Sequence, residues 1–219
     1  MSYDLCLFDL DGTLIDPKVG ITKSYQYAFR VFNIFKELND LTKYIGPPLR
    51  DVFRENGLDE NDVEKAVIKF REYMSETGLY ESVEYQGITD LLQDLKENNK
   101  TLAVVTSKLK QFANQTLDHF NIQRYFSHVA GDSIDGSLTI NGKRDLINIT
   151  LSKLDPAREK SAVMIGDRKH DIIGAREAGI DSIGILWGYG SQEELEQSEP
   201  THIVKTMNDL RKALLAKEI

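Results

Sequence analysis

The 219-residue chain has one cysteine, Cys6, so no intramolecular disulfide can form. Cys6 lies inside an apolar run and reads as a buried small residue rather than a reactive thiol. No stretch reaches the roughly 18 consecutive apolar residues of a membrane-spanning helix. The opening Met1-Ser2-Tyr3-Asp4 carries neither the basic start nor the apolar run of an export signal. The expected location is therefore cytoplasmic, and Asn114-Gln115-Thr116 and Asn148-Ile149-Thr150 are chance matches to the glycosylation pattern. Basic residues are outnumbered, 27 Lys and Arg against 35 Asp and Glu, for a formal net charge of −8. With no dense basic run, general binding to a nucleic-acid polymer or a membrane surface is excluded. An anionic ligand would have to be met by a local, organised site. The four histidines are scattered and give no support to a His-based zinc site. What remains, 41% hydrophobic and 28% charged residues, is ordinary for a soluble globular protein able to bury a core without disulfides.

Short apolar runs at Leu5–Leu10, Thr101–Thr106, Ser161–Ile165 and Ser182–Leu186 lack clean alternation, as strands covered on both faces do. His128–Ala130 and His202–Val204 are weaker candidates. Helical spacing separates them: Ile88, Leu91, Leu92, Leu95; then Phe112, Leu117, Phe120; then Asp171–Ala178, closed by Gly179. Ser191 with Glu194 reads as a capping box. Strands alternating with helices predict an α/β fold with a parallel, Rossmann-like sheet. Between Asp16 and Glu84 only helical patterns occur, at Val19–Phe32, Pro48–Asn56 and Glu60–Glu76, with many aromatic residues. The expected organisation is a core domain of residues 1–15 and 85–219 with an inserted all-helical domain, 16–84. Asp135-Gly136 and Asn141-Gly142 flank a β-type run, predicting a small hairpin or flap between Ser133 and Lys143.

The apolar run Leu5-Cys6-Leu7-Phe8 feeds directly into Asp9-Leu10-Asp11-Gly12-Thr13. In open α/β sheets, ligands bind beyond the carboxyl ends of strands. Two carboxylates two residues apart repel each other there unless a cation sits between them, and a hard divalent ion such as Mg²⁺ is the natural choice. Gly12 allows a sharp turn past the strand. A calcium loop does not fit, because its required Gly and Glu positions hold Leu14 and Gly20. A second acid pair, Gly166-Asp167-Arg168-Lys169-His170-Asp171, follows another buried run. Asp171 is also what a helix start favours electrostatically. Arg168, Lys169 and His170 read as a solvated face. At a third strand end, Thr106-Ser107-Lys108 offers a hydroxyl and backbone N–H groups suited to an anionic oxygen, or simply a helix cap. Lys143 opens the helix Leu146–Leu154. Acid pairs, a hydroxyl and a lysine at neighbouring strand ends are what phosphoryl transfer requires: a nucleophile, a metal and fixed donors around the phosphoryl oxygens.

On these four motifs, which follow one another along the chain in the family's order and cover nearly all of it, the sequence resembles the haloacid dehalogenase-like hydrolases. It is closest to the phosphoglycolate-phosphatase-like phosphatases with a C1-type helical cap. One departure is Arg144, where a proline often follows the family's lysine; it leaves Lys108 as a second candidate for the lysine role. The resemblance implies an Mg²⁺-dependent phosphatase acting on a small phosphate monoester, such as a phosphoglycolate-like acid, a sugar phosphate or a nucleoside 5′-monophosphate. Asp9 would be the nucleophile and Asp11 the acid and base. Asp9, Asp11 (through its carbonyl) and Asp167 would hold the metal. Gly12, Thr106, Ser107 and Lys143 would bind the phosphoryl group, and Asp171 would either contact the metal through water or orient Lys143. The helical cap would close over the site. Within it Gly46-Pro47-Pro48-Leu49-Arg50 resembles a substrate-facing loop; Arg50 is either a grip on a second anionic group or a solvated residue at a helix start.

The same motifs serve a phosphomutase, a pyrophosphatase or a 5′-nucleotidase. Phosphonate-type lyase chemistry would need a Schiff-base lysine that nothing marks, and dehalogenation has no use for Asp11. From a different class, a non-catalytic phospho-accepting switch domain uses similar groups but without a helical insertion after its first acid pair. The expected partner is a small phosphorylated molecule, and the expected assembly a monomer or weak homodimer.

Overall fold

In the computed structural model, which describes residues 3–134, 142–157 and 160–215, the uninterrupted apolar run Leu5–Phe8 forms strand β1 and is buried along its whole length. It has no polar face because it serves two cores. Cys6 and Phe8 point into one cluster with Leu102, Val104, Val163 and Ile165. Leu5 and Leu7 point into another with Ala103, Val105, Ala162 and Met164. The chain divides into two compact units, Asp16–Val83 and the remainder.

The larger unit is built on a six-stranded parallel sheet. After β1 its strands are β4 (Thr101–Leu109), β5 (His128–Asp132), β6 (Ala162–Gly166), β7 (Asp181–Ile185) and β8 (His202–Val204). They lie in the order β5-β4-β1-β6-β7-β8. Helices α5 (Ile88–Glu97), α6 (Lys110–His119) and α10 (Met207–Leu215) cover one face, through Leu91, Leu95, Leu117 and Leu210. Helices α7 (Lys143–Leu154) and α8 (Lys169–Ala178) cover the other, through Leu146, Ile147, Leu151 and Ala175. The short α9 (Gln192–Gln197) precedes β8. Strand order reverses at β1, with β4 on one side and β6 on the other. That switch point is where an open sheet of this kind leaves a crevice beyond its carboxyl edge. Every pairing in the sheet is parallel.

The smaller unit holds helices α1 (Lys18–Arg30), α2 (Leu38–Leu41), α3 (Leu49–Glu55) and α4 (Glu60–Glu76). Its core is aromatic: the Tyr25 and Phe70 rings lie 4.7 Å apart and those of Phe29 and Phe53 5.2 Å. Asp59 caps α4 by accepting from the Asp62 N–H at 2.9 Å. One feature departs from the purely helical reading of Asp16–Glu84. The two-residue strands β2 (Ile15–Asp16) and β3 (Val83–Glu84) pair into a ribbon where the chain passes between the units. They are too short to leave a periodic signal. The hairpin expected near Ser133–Lys143 falls largely on residues 135–141, outside the described residues. Among the described residues, no helix is long and apolar enough to cross a membrane.

Candidate functional site

Strand β1 stops at Phe8 rather than Leu10, although the Asp9 N–H still donates to the Ile165 carbonyl of β6 at 2.9 Å. The chain then closes a tight loop. Gly12 takes a φ of +88° and the Leu14 and Ile15 N–H groups both donate to the Leu10 carbonyl, at 2.9 and 3.1 Å. The loop returns Leu10 and Leu14 to the core and leaves Asp9 and Asp11 beyond the end of the strand. Leu10 is thus an apolar loop residue that reads locally as strand.

On the adjacent strand, β6 ends at Gly166 and Asp167 follows. Asp171 sits in the first turn of α8, where its Oδ2 accepts from the Arg168 N–H at 3.0 Å. Asp9, Asp167 and Asp171 are all buried, and each presents a carboxylate oxygen within 4.8 Å of the other two. Lys143, the first residue of α7, reaches the same point. Its Nζ lies 2.9 Å from Asp9 Oδ1 and also contacts Asp171 Oδ1.

The electrostatics of this cluster are unbalanced. Three buried carboxylates face the single ammonium of Lys143. Burial, with Asp171 and Asp9 close by, pushes the Asp167 carboxyl up to about 8. Burial likewise raises Asp171 to about 6, with Lys143 opposing the rise. Burial works against the charge on Lys143, but Asp171 and Asp9 outweigh it and hold the ammonium above the usual lysine value. Asp9 Oδ1 faces the Lys143 ammonium at 2.9 Å. An all-oxygen donor set with excess negative charge fits a hard divalent cation.

Asp167 is held rigidly by residues that look unremarkable in the sequence. The Tyr189 N–H donates to its Oδ2 at 2.7 Å and the Thr13 hydroxyl to its Oδ1 at 3.4 Å. The Trp187 indole N–H donates in turn to the Thr13 carbonyl at 3.2 Å. The loop Trp187–Gly190 passes so close that a Cβ on Gly188 would lie 2.3 Å from Asp167 Cβ, and one on Gly190 would lie 1.9 Å from the Asp167 carbonyl oxygen. Nothing in the local pattern of this segment singles it out. Its glycines are the single hint, and they show their purpose only once Asp167 is seen against them. Gly190→Ala must displace backbone, so it is expected to lower stability by about 1–3 kcal/mol, read from the urea midpoint at unchanged m-value.

The remaining residues are placed as follows. Thr106 is buried and Ser107 exposed. They were expected past the end of a strand, but β4 continues to Leu109, with its register against β5 shifted between Val105 and Leu109. Pairing resumes at Leu109 opposite Asp132, so the segment is an irregular part of the strand and α6 begins only at Lys110. The Lys108 N–H donates to Thr106 Oγ1 at 3.2 Å. The Lys108 ammonium pairs with Asp11, at 2.9 and 3.1 Å from its two oxygens. Burial pushes the Asp11 carboxyl up, and Lys108 opposes the rise. The two lysine candidates therefore have different partners. Arg50 lies in the smaller unit, where it binds Glu64 through Nε and Nη2 at 2.6 and 3.1 Å.

Arg168 departs from the solvated face expected of it. Its guanidinium binds Glu194, whose carboxylate also accepts from the Lys169 N–H at 2.9 Å. The Ser191 hydroxyl accepts from the Glu194 N–H at 3.0 Å, which is half of the expected capping box; the Glu194 carboxylate is drawn to α8 instead.

The model of the haloacid dehalogenase-like hydrolase family matches residues 6–185. A 5′-nucleotidase of Pseudomonas aeruginosa is 41% identical over 216 residues, which are 98% of this chain and 96% of that protein. The tyrosine-protein kinase PtkA of Mycobacterium tuberculosis is 38% identical over 216 residues, 97% of this chain and 73% of the kinase. The crystal structure of a predicted phosphatase from Clostridium acetobutylicum shares the fold with a TM-score of 0.92 at 40% identity, covering 98% of this chain and 99% of that one. With a family model spanning most of its length and relatives this similar end to end, the chain belongs to the haloacid dehalogenase-like hydrolases and is an enzyme of their phosphatase branch.

Proposed function

We propose that this enzyme hydrolyses a small phosphate monoester with Mg²⁺, through an aspartyl-phosphate formed on Asp9. The observation that carries the reading is the convergence of three buried carboxylates and one ammonium at the switch point of the sheet.

The Asp9 carboxylate attacks phosphorus as the bond to the leaving oxygen breaks, and Asp11 delivers a proton to that oxygen. Water then attacks the phosphorus of the aspartyl-phosphate. Asp11 accepts the water proton, inorganic phosphate departs and Asp9 is regenerated. Lys143, the Thr106 hydroxyl and the Ser107 N–H hold the phosphoryl oxygens, with Gly12 giving close access to the backbone. The Asp9 and Asp167 carboxylates and the Asp11 carbonyl would hold Mg²⁺. When bound, the ion offsets negative charge on the phosphoryl group as the nucleophile approaches. Both Asp171 oxygens are engaged, by Lys143 and by the Arg168 N–H, which supports its reading as the residue that orients Lys143. Arg50, whose guanidinium binds Glu64, keeps its two readings, a grip on a second anionic group of the substrate or a residue at a helix start.

Among the candidate substrates, the 41% identity to a 5′-nucleotidase favours nucleoside 5′-monophosphates over sugar phosphates and phosphoglycolate-like acids. Phosphate release across a panel of all three tests the substrate class. A protein most active on the nucleotides is expected, and one inert on every monoester would end the proposal. Metal removal gives a separate check. Dialysis against EDTA is expected to abolish turnover of p-nitrophenyl phosphate, and added Mg²⁺ to restore it; turnover that persists without divalent ions would exclude the metal role.

A further inference from the structure

The ammonium groups of the site are divided. Lys143 serves Asp9 and Asp171, whereas Lys108 serves Asp11. The chemistry set out above uses Lys143 and gives Lys108 no part. We propose that Lys108 is the positioning residue of Asp11: it holds the carboxylate that serves the leaving oxygen in one orientation. This deepens the proposed function and rests on its reading of Asp11 as acid and base.

Three observations carry the inference. First, Nζ contacts both Asp11 oxygens, at 2.9 and 3.1 Å, so the carboxylate is fixed in plane as well as in place. Second, the pair is withdrawn from solvent, with side-chain exposures of 7% for Lys108 and 16% for Asp11. Surface ion pairs are screened and loosely held, but a sheltered one constrains geometry. Third, Lys108 stands on the sheet itself. The register shift between Val105 and Leu109 and the bond from its N–H to Thr106 Oγ1 fix the segment that carries it. Asp11 would otherwise face Asp9, two residues earlier, with no ammonium of its own, and a carboxylate so placed turns towards water. An acid acting on a leaving oxygen must instead stand within hydrogen-bond reach of it.

A positioning role is distinguishable from a direct grip on the phosphoryl group by its dependence on the leaving group. Protonation matters for a basic leaving oxygen and hardly for nitrophenolate. The test measures leaving-group release in a single turnover with enzyme in excess, which isolates the first step. Phenyl phosphate is compared with p-nitrophenyl phosphate, in Mg²⁺. Lys108→Met is expected to slow phenol release on the order of 100-fold more than nitrophenol release. Lys108→Arg is expected to recover much of the loss. The double variant Asp11→Asn with Lys108→Met is expected to be no slower than Asp11→Asn alone. Thermal melts accompany each variant, and Lys108→Gln carries the same comparison if the Met variant does not fold. An equal loss on both substrates, no loss on either, or a double variant slower than Asp11→Asn would overturn the role of Lys108 while Asp11→Asn stays leaving-group-selective. Should Asp11→Asn itself show no such selectivity, the reading of Asp11 fails and takes this proposal with it.

Discussion

Asp9→Asn is expected to abolish turnover while leaving the fold intact. The substitution keeps the size and planarity of the side chain but removes the oxygen anion proposed as nucleophile, and an amide does not form the acyl-phosphate. Losing the central group of a covalent mechanism costs on the order of 10⁴-fold or more in rate. Stability should move the other way. Asp9 is one of three carboxylates crowded within 4.8 Å, and neutralising it relieves repulsion on Asp167 and Asp171. The melting temperature of Asp9→Asn in the absence of metal is therefore expected to equal or exceed that of the parent. A variant that retains activity on p-nitrophenyl phosphate would remove Asp9 as nucleophile; one that loses activity only because it unfolds would show in the melt.

Lys143→Met is expected to have the largest effect on stability of any single change at the site. Met fills similar space, but Asp9 and Asp171 lose the ammonium that both contact. Removing one partner of a buried ion pair typically costs about 3–5 kcal/mol. The cost should depend on pH in a defined direction. The Asp171 carboxyl already stands raised to about 6 with Lys143 opposing the rise, so without the lysine it stands higher still. An acid whose pKa is raised by folding gives up its proton more readily in the unfolded chain. Stability is therefore lost as pH climbs from the ordinary carboxylate value, about 4, through the raised one. Urea denaturation should accordingly show the deficit of Lys143→Met growing from pH 5 to pH 8. Adding Asp171→Asn to Lys143→Met should recover part of the loss. A deficit that does not change with pH would mean that lost packing, not unpaired charge, is responsible.

The sheet was legible because of how its strands are buried. Leu5–Phe8 and Ala162–Ile165 are covered on both faces, and a strand in that position shows as an unbroken apolar run. The acid pairs were legible because each directly follows such a run. That Asp9 and Asp167 meet follows from the adjacency of β1 and β6, and no local pattern states which strands are neighbours. The features that escaped are of the same long-range kind. Gly188 and Gly190 press against a residue more than 20 positions earlier, and a glycine that allows close approach looks like any glycine in a turn. The irregularity in β4 arises from its pairing with β5, so Thr106–Lys108 looked like the start of a helix. The choice between Lys108 and Lys143 could not be made from spacing, since each finds its carboxylate across the sheet.

The ribbon of β2 and β3 also bears on how this polypeptide reaches its native state. Leu5 and Thr101 are ladder partners at the centre of the sheet, yet the entire helical insertion lies between them in the chain. Bringing them together from a random coil would require closing a very long loop. If the insertion organises first, its ends are stapled side by side by the ribbon, and the search is cut to a short detour. Such a molecule should fold its helical segment early and zip β1 to β4 afterwards, faster than its overall contact order implies.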